Sequence, residues 1–245
     1  MRSLSAAELL NVWEQGQGQL PVQQALILLA AACPEAPPDA LAALRIGRRD
    51  AGLLTLREWT FGSQLVSLAV CPSCGERLEL AFDVADIRAV DDGPDEPLSL
   101  SVAGCEVAFR LPNSLDLVAV VDVGDVEASR RLLLERCVLA VERAGDAGAH
   151  SVDALPSEVV AAIVARMAEA DPQADVQLAL VCPACGQPWQ AAFDIVSFFW
   201  SEINAWAIRV LRDVHALASA YGWREADILA LSPWRRQCYL EMVRG

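Results

Sequence analysis

The sequence predicts an α+β fold, dominated by helix and built around two short β-hairpins. Three observations predict it. Apolar residues recur at i, i+3 and i+4 over several stretches, most of all between Ile195 and Tyr221. Two segments alternate apolar and polar residues on either side of a C-P-x-C-G turn. Those two segments, "SLAVCPSCGERLELAFDV" and "LALVCPACGQPWQAAFDI", are also copies of one pattern.

Residues 1–60 read as a helical unit. Ser5 with Glu8 three positions on is a capping box, and it opens a helix with Leu9, Leu10 and Trp13 on one face. Gly16 to Gly18 end that helix, and Pro21 starts a second, "VQQALILLAAAC", which "PEAPP" terminates. A third helical stretch runs from about Asp39 through Arg57, with a break expected at Gly47 and Arg48 to Asp50.

Residues 61–90 form the first knuckle hairpin, with Leu78, Leu80 and Phe82 on one face. Residues 91–173 hold an inserted region. It comprises an acidic linker, "DDGPDEP", a hairpin turning at Ala103-Gly104 within "LSLSVAGCEVAFRL", an amphipathic helix "VEASRRLLLERCVLAVER", a loop "AGDAGAHSVD", and a helix "PSEVVAAIVARMAEA". Residues 174–245 add the second knuckle hairpin, a long helix N-capped by Asp194, a short helix "READILAL", and a last helix opened by Ser232-Pro233. The four segments are expected to form one integrated domain.

Composition narrows the function. The chain has 245 residues and is 54% apolar, enough for a substantial core. Nineteen basic residues, all Arg, stand against 33 acidic ones for a net charge of −14. Such a surface repels nucleic-acid phosphates and anionic lipid. The opening "MRSLSAAELLNVWEQG" lacks the apolar core of a signal peptide, and the longest apolar run, Ala25 to Cys33, is too short to span a bilayer. A cytoplasmic location is expected, with Cys33, Cys105, Cys137 and Cys238 serving as small buried hydrophobes.

The remaining four cysteines carry the chemistry. Two thiolates in C-x-x-C grip one metal from a tight turn, which Pro72 and Pro183 stiffen, while Gly75 and Gly186 permit the left-handed backbone that follows. One pair is half of a tetrahedral shell. Cys71, Cys74, Cys182 and Cys185 together make a complete four-cysteine shell, a zinc ribbon split by an insertion, with one structural zinc per chain. Cys182 follows Cys71 by 111 residues, against about 15 to 20 in ordinary ribbons. Closing such a loop costs roughly 4 kcal/mol, less than the roughly 10 to 16 kcal/mol that structural zinc contributes in finger peptides. Redox-active CxxC pairs and half-sites completed in a dimer are the alternatives. The matching frames of the two hairpins favour a single intramolecular site, and the lack of a βαβ pattern disfavours redox chemistry.

Nothing else points to catalysis. His150 lies in a loop and His215 in the long helix, each without a partner at motif spacing, and no GxSxG, P-loop, GxGxxG or HExxH is present. The chain is therefore expected not to be an enzyme. The closing helices, with Arg235 and Arg236, have the outline of a helix-turn-helix, so a zinc-ribbon transcriptional regulator is the second reading; the acidic charge opposes it. The aromatic residues here either pack the last helices together or dock a protein partner, and Tyr221, Trp223, Trp234, Arg235, Arg236 and Tyr239 are the candidate partner-binding residues.

The segments "IGRRDAGLLTLREWTFG", "CPSCGERLEL", "FRLPNSLDL", "CPACGQPWQAAFDI" and "LASAYGWREADILALSPWRRQCYLEMV" together resemble the baseplate hub assembly chaperone family of T-even-type phages. Relatives of that family occur in gene clusters for phage-tail-like contractile injection systems. The resemblance runs from about Leu44 onward. It implies a non-enzymatic role, binding a baseplate hub, spike or wedge protein during assembly, with possible retention in the finished tail-like particle.

Overall fold

The computed structural model describes residues 1–90, 97–143 and 152–244. In order, the elements are α1 (Ala6–Gln15), α2 (Pro21–Ala32), α3 (Pro38–Ala43), α4 (Ile46–Phe61), β1 (Gln64–Val70), β2 (Arg77–Asp83), α5 (Val84–Ile87), β3 (Leu98–Val102), β4 (Cys105–Phe109), α6 (Ser114–Val120), α7 (Val126–Cys137), β5 (Val138–Arg143), α8 (Ser157–Ala170), β6 (Val176–Val181), β7 (Pro188–Phe193), α9 (Ile195–Tyr221), α10 (Glu225–Leu229) and α11 (Pro233–Arg244). The fold is mixed helix and sheet, with small antiparallel sheets. The acidic linker at 91–96, and the loop from 144 to 151 that holds His150, lie outside the described residues.

The chain divides into two compact units, one formed by Met1–Ala36 with Ile195–Gly245 and the other by Pro37–Asp194. The first is helical. The Ser5–Glu8 capping box is present, with Ser5 Oγ accepting from the Glu8 N–H and the Glu8 carboxylate accepting from the Ser5 N–H. Pro21 opens α2, and Ser232 Oγ accepts from the Arg235 N–H at the start of α11. Helix α9 runs for 27 residues, about 40 Å. It buries Phe199, Ile203, Ala207, Val210, Val214 and Leu217 on one stripe. Leu10, Ile228 and Leu240 complete that core, and Trp13 Nε1 donates to Asn204 Oδ1 at 2.9 Å.

Among the described residues, the second unit holds three sheets. β1 pairs with β2, and β6 with β7, each as an isolated antiparallel hairpin. β3, β4 and β5 form a third, with the β3–β4 turn at Ala103 (φ +51°) and Gly104 (φ +72°), as a type I′ turn requires. One face of this sheet, with Leu98, Cys105, Val107, Phe109 and Val141, packs on Leu134 of α7 and on Val159 and Ile163 of α8.

Two sequence expectations are corrected. The stretch "VEASRRLLLERCVLAVER" is not one helix: it stops at Cys137, and Val138–Arg143 is strand β5. Local periodicity continues through the junction, but β4 offers an open edge, and β-branched Val138 and Val141 suit a half-buried strand. The helix break after Asp39 falls at Leu44–Arg45 rather than at Gly47, which lies inside α4. A helix to which no sequence signal pointed, α6, forms at "NSLDLVAV", capped by Asn113, whose side chain accepts from the Leu115 and Asp116 N–H groups.

Buried ion pairs join distant parts of the second unit. Arg45 Nη1 donates to Asp171 Oδ1 at 3.1 Å, with both side chains almost fully buried. The Gly47 N–H donates to the other oxygen at 2.8 Å. Asp116 is fully buried and accepts from Arg110 at 2.6 and 2.8 Å, from Arg136 Nε at 2.8 Å and from the Asn113 N–H at 3.0 Å. Burial pushes its carboxyl up, but Arg110, Asn113 and Arg136 together hold it below the usual range. Asp50 goes the other way. Burial raises it to about 6, despite the 2.7 Å contact with Arg49 Nε, and the neighbouring Asp194 and Asp171 add to the rise.

Two outcomes are expected. A Cβ on residue 47 would overlap the Asp171 carboxylate, so Gly47→Ala should lower unfolding stability by about 2 kcal/mol or more in chemical denaturation. Asp50 binds its proton more tightly folded than unfolded, so its ionisation opposes folding fully above about pH 6, and the penalty is relieved as pH falls toward the ordinary carboxylate range. Relative to Asp50→Asn, the natural protein should therefore gain about 1 kcal/mol between pH 7 and pH 5; parallel unfolding curves at all pH values would contradict this.

Candidate metal centre

Both knuckles are built the same way. In the first, the Cys71 N–H donates to the Glu76 carbonyl at 2.8 Å and the Gly75 N–H to the Cys71 carbonyl at 3.0 Å. In the second, the Cys182 N–H donates to the Gln187 carbonyl at 2.9 Å and the Gly186 N–H to the Cys182 carbonyl at 2.8 Å. Gly75 and Gly186 have φ of +77° and +73°, the left-handed region in which a Cβ is strained. Each turn thereby aims two thiols at the same side, the first cysteine buried and the second exposed.

The four thiols meet within one chain. Cys71 Sγ lies 3.7 Å from Cys185 Sγ, Cys74 Sγ lies 3.6 Å from Cys182 Sγ, and all four sulfurs fall within 4.8 Å of one another. A tetrahedral ion with metal–sulfur bonds of about 2.3 Å separates its sulfurs by about 3.8 Å, so the cluster has the dimensions of such a shell and could hold a metal ion. Tetrahedral four-sulfur sets suit zinc or iron–sulfur chemistry. The two thiols of the first knuckle are pushed opposite ways: the Cys74 N–H outweighs burial and, with the Ser73 N–H, draws Cys71 down to about 7. The Glu76 N–H pulls Cys74 down as well, but the crowding thiols of Cys185 and Cys182 push it up to about 12. A bound cation would replace those protons and hold all four as thiolates.

The hairpins also meet below the thiols. The Phe82 and Phe193 rings contact edge to face with centroids 5.7 Å apart. These are equivalent residues of the repeated pattern, and their shared Phe-Asp was the signal in the sequence. Asp83 and Asp194 then lead directly into α5 and α9. Of the other cysteines, Cys105 and Cys137 are buried and Cys33 and Cys238 half-buried.

The C-terminal residues have more than one fate. Trp223 stacks on Tyr221 at 4.7 Å and meets Tyr239 edge to face at 4.9 Å. Arg236 is buried, its Nε 3.4 Å from Asp213 Oδ2. Trp234, 76% exposed, and Arg235 face solvent. His215 is exposed on α9.

Residues 5–200 match the family described as T4 bacteriophage base plate protein. The chain belongs to this family. The match spans both hairpins and all four cysteines, begins well before Leu44, and ends inside α9, so that Tyr221 and the residues after it lie beyond it. No curated protein and no solved structure matches the chain.

Because Cys182 clusters with Cys71 and Cys74, Cys182→Ser should abolish metal binding and leave the already exposed Cys74, 108 residues away, unprotected by metal and reactive toward thiol reagents. Elemental analysis with thiol titration checks this. Retained metal, or an unchanged first hairpin, would contradict a shared centre.

Proposed function

We propose that this baseplate-family protein is a non-enzymatic assembly chaperone or adaptor for the hub of a contractile phage tail or phage-tail-like injection system, held in shape by one structural zinc per chain. The family match over residues 5–200 carries the reading. A base plate protein works by contacting other baseplate proteins, and a four-thiolate shell, which leaves no coordination position for substrate, suits a structural ion rather than a catalytic one. Zinc is favoured because the cluster has tetrahedral sulfur dimensions and is built from two knuckles of zinc-ribbon form.

The partner is a hub, spike or wedge protein. Trp234 and Arg235 are exposed and available to it, as is part of Tyr221, while Arg236 is turned onto Asp213. That arrangement also weakens the second reading, a zinc-ribbon regulator using the C-terminal helices, since one of its two phosphate-binding arginines is occupied. Among the described residues no helix is long and apolar enough to cross a membrane, in keeping with a role before or within a particle.

Co-production of the tagged chain with hub, spike and wedge proteins tests the proposal. The chain should co-elute with at least one of them, carry one zinc, and show no salt-sensitive retention on DNA. Tight DNA binding with no baseplate partner would overturn it.

A further inference from the structure

Three large apolar side chains stand in a row on the outer face of β1. Val66, Leu68 and Val70 are 53%, 61% and 59% exposed, alternate residues of one strand on one face. Their cross-strand neighbours are Ala81, Glu79 and Arg77.

The second hairpin shows that a knuckle does not need them. It has the same antiparallel frame, the same thiol turn and the same Phe-Asp exit, yet the positions equivalent to Val66 and Leu68 are Gln177 and Ala179. Only Val70 is matched, by Val181 next to the cysteine. The inner faces, which meet at Phe82 and Phe193, account for the buried half of each alternation. Val66 and Leu68 thus leave apolar area in water for no reason that lies in the hairpin itself.

Charge says what covers them. The Pro37–Asp194 unit contains 25 acidic and 12 basic residues, a net −13, while the other unit contains 8 acidic and 7 basic, a net −1. Exposed Glu76, Glu79 and Asp83 lie on the same hairpin as the apolar row, with Arg77 the basic residue among them. A second copy seated on this face would set Glu76, Glu79 and Asp83 against the same three carboxylates, within two units that are both strongly acidic, which disfavours self-association there. We infer that the outer face of the first hairpin is a docking surface for another baseplate protein, whose complementary patch presents apolar side chains ringed by Arg or Lys. The inference rests on the proposed assembly role and names the surface that serves it.

The test uses V66Q and L68A together in the full chain, the residues that the second hairpin tolerates. Each baseplate protein encoded in the same tail gene cluster, purified singly, is titrated against the natural and changed chains at low and high salt. One partner should bind the natural chain, weaken as salt rises, and bind the changed chain about tenfold or more weakly, with melting temperature and metal content unaltered. Unchanged affinity would overturn this surface while leaving the assembly role intact. So would a natural chain that dimerises and a changed chain that does not, since a second copy would then be the occupant. If none of the baseplate proteins binds the natural chain, the assembly role fails and this inference fails with it.

Discussion

The closure of one loop underlies the architecture of the Pro37–Asp194 unit. Cys71 and Cys182 lie 111 residues apart, and everything between them, including the β3–β4–β5 sheet and its two covering helices, is built inside a loop whose ends meet at the thiol cluster. That meeting place gathers four thiols, two of them buried. Gripping one cation, the four groups would act as a crosslink that removes freedom from the unfolded chain, to the extent of roughly 4 kcal/mol for a loop of this length. Each knuckle is fixed by its own backbone hydrogen bonds and a left-handed glycine, which aim its two thiols to one side.

Closure brings ends together but does not choose a packing, and the buried ion pairs supply that choice. Arg45–Asp171 and the Arg110–Asp116–Arg136 group both join residues from different elements, and each carboxylate is also held by a backbone N–H. Such pairs repay little of their desolvation cost, so they are weak contributors to stability and strong penalties on any alternative arrangement that would leave one charge buried alone. The "FRLPNSLDL" segment gains its meaning here. Its Arg110 and Asn113, part-exposed, hold the fully buried Asp116 and, with Arg136, link the end of β4 to α6 and α7, with the Pro112 carbonyl accepting from the Ile46 N–H.

What could be read in the sequence was what local chemistry decides. The Ser5–Glu8 box, Pro21, Ser232-Pro233 and the stripe of α9 are specified within a turn or two of chain, and the thiol cluster was legible because two knuckles are each incomplete and mutually complementary. Distant partners were not legible. Val138 to Arg143 became a strand only because β4 had an edge to fill, and nothing within three residues of Gly47 announces that Asp171 needs its backbone bare. The division into units was hidden for the same reason: helices from the two ends of the chain share a core that includes Leu10, Val210 and Leu240, residues far apart in sequence.

The repeat itself supplies the last step. Two hairpins under one structural demand form a controlled comparison inside a single chain, because positions that the fold requires must be alike in both and positions free of that demand can differ. The cysteines, the glycines after them and the Phe-Asp exit agree, and each has a structural task that accounts for it. The outer faces disagree, Val66 and Leu68 against Gln177 and Ala179. Had both faces been apolar, strand propensity would explain them; had both been polar, there would be nothing to explain. An apolar row on one copy alone, in the unit that carries nearly all the net charge, separates what holds the hairpins together from what one of them offers to a partner.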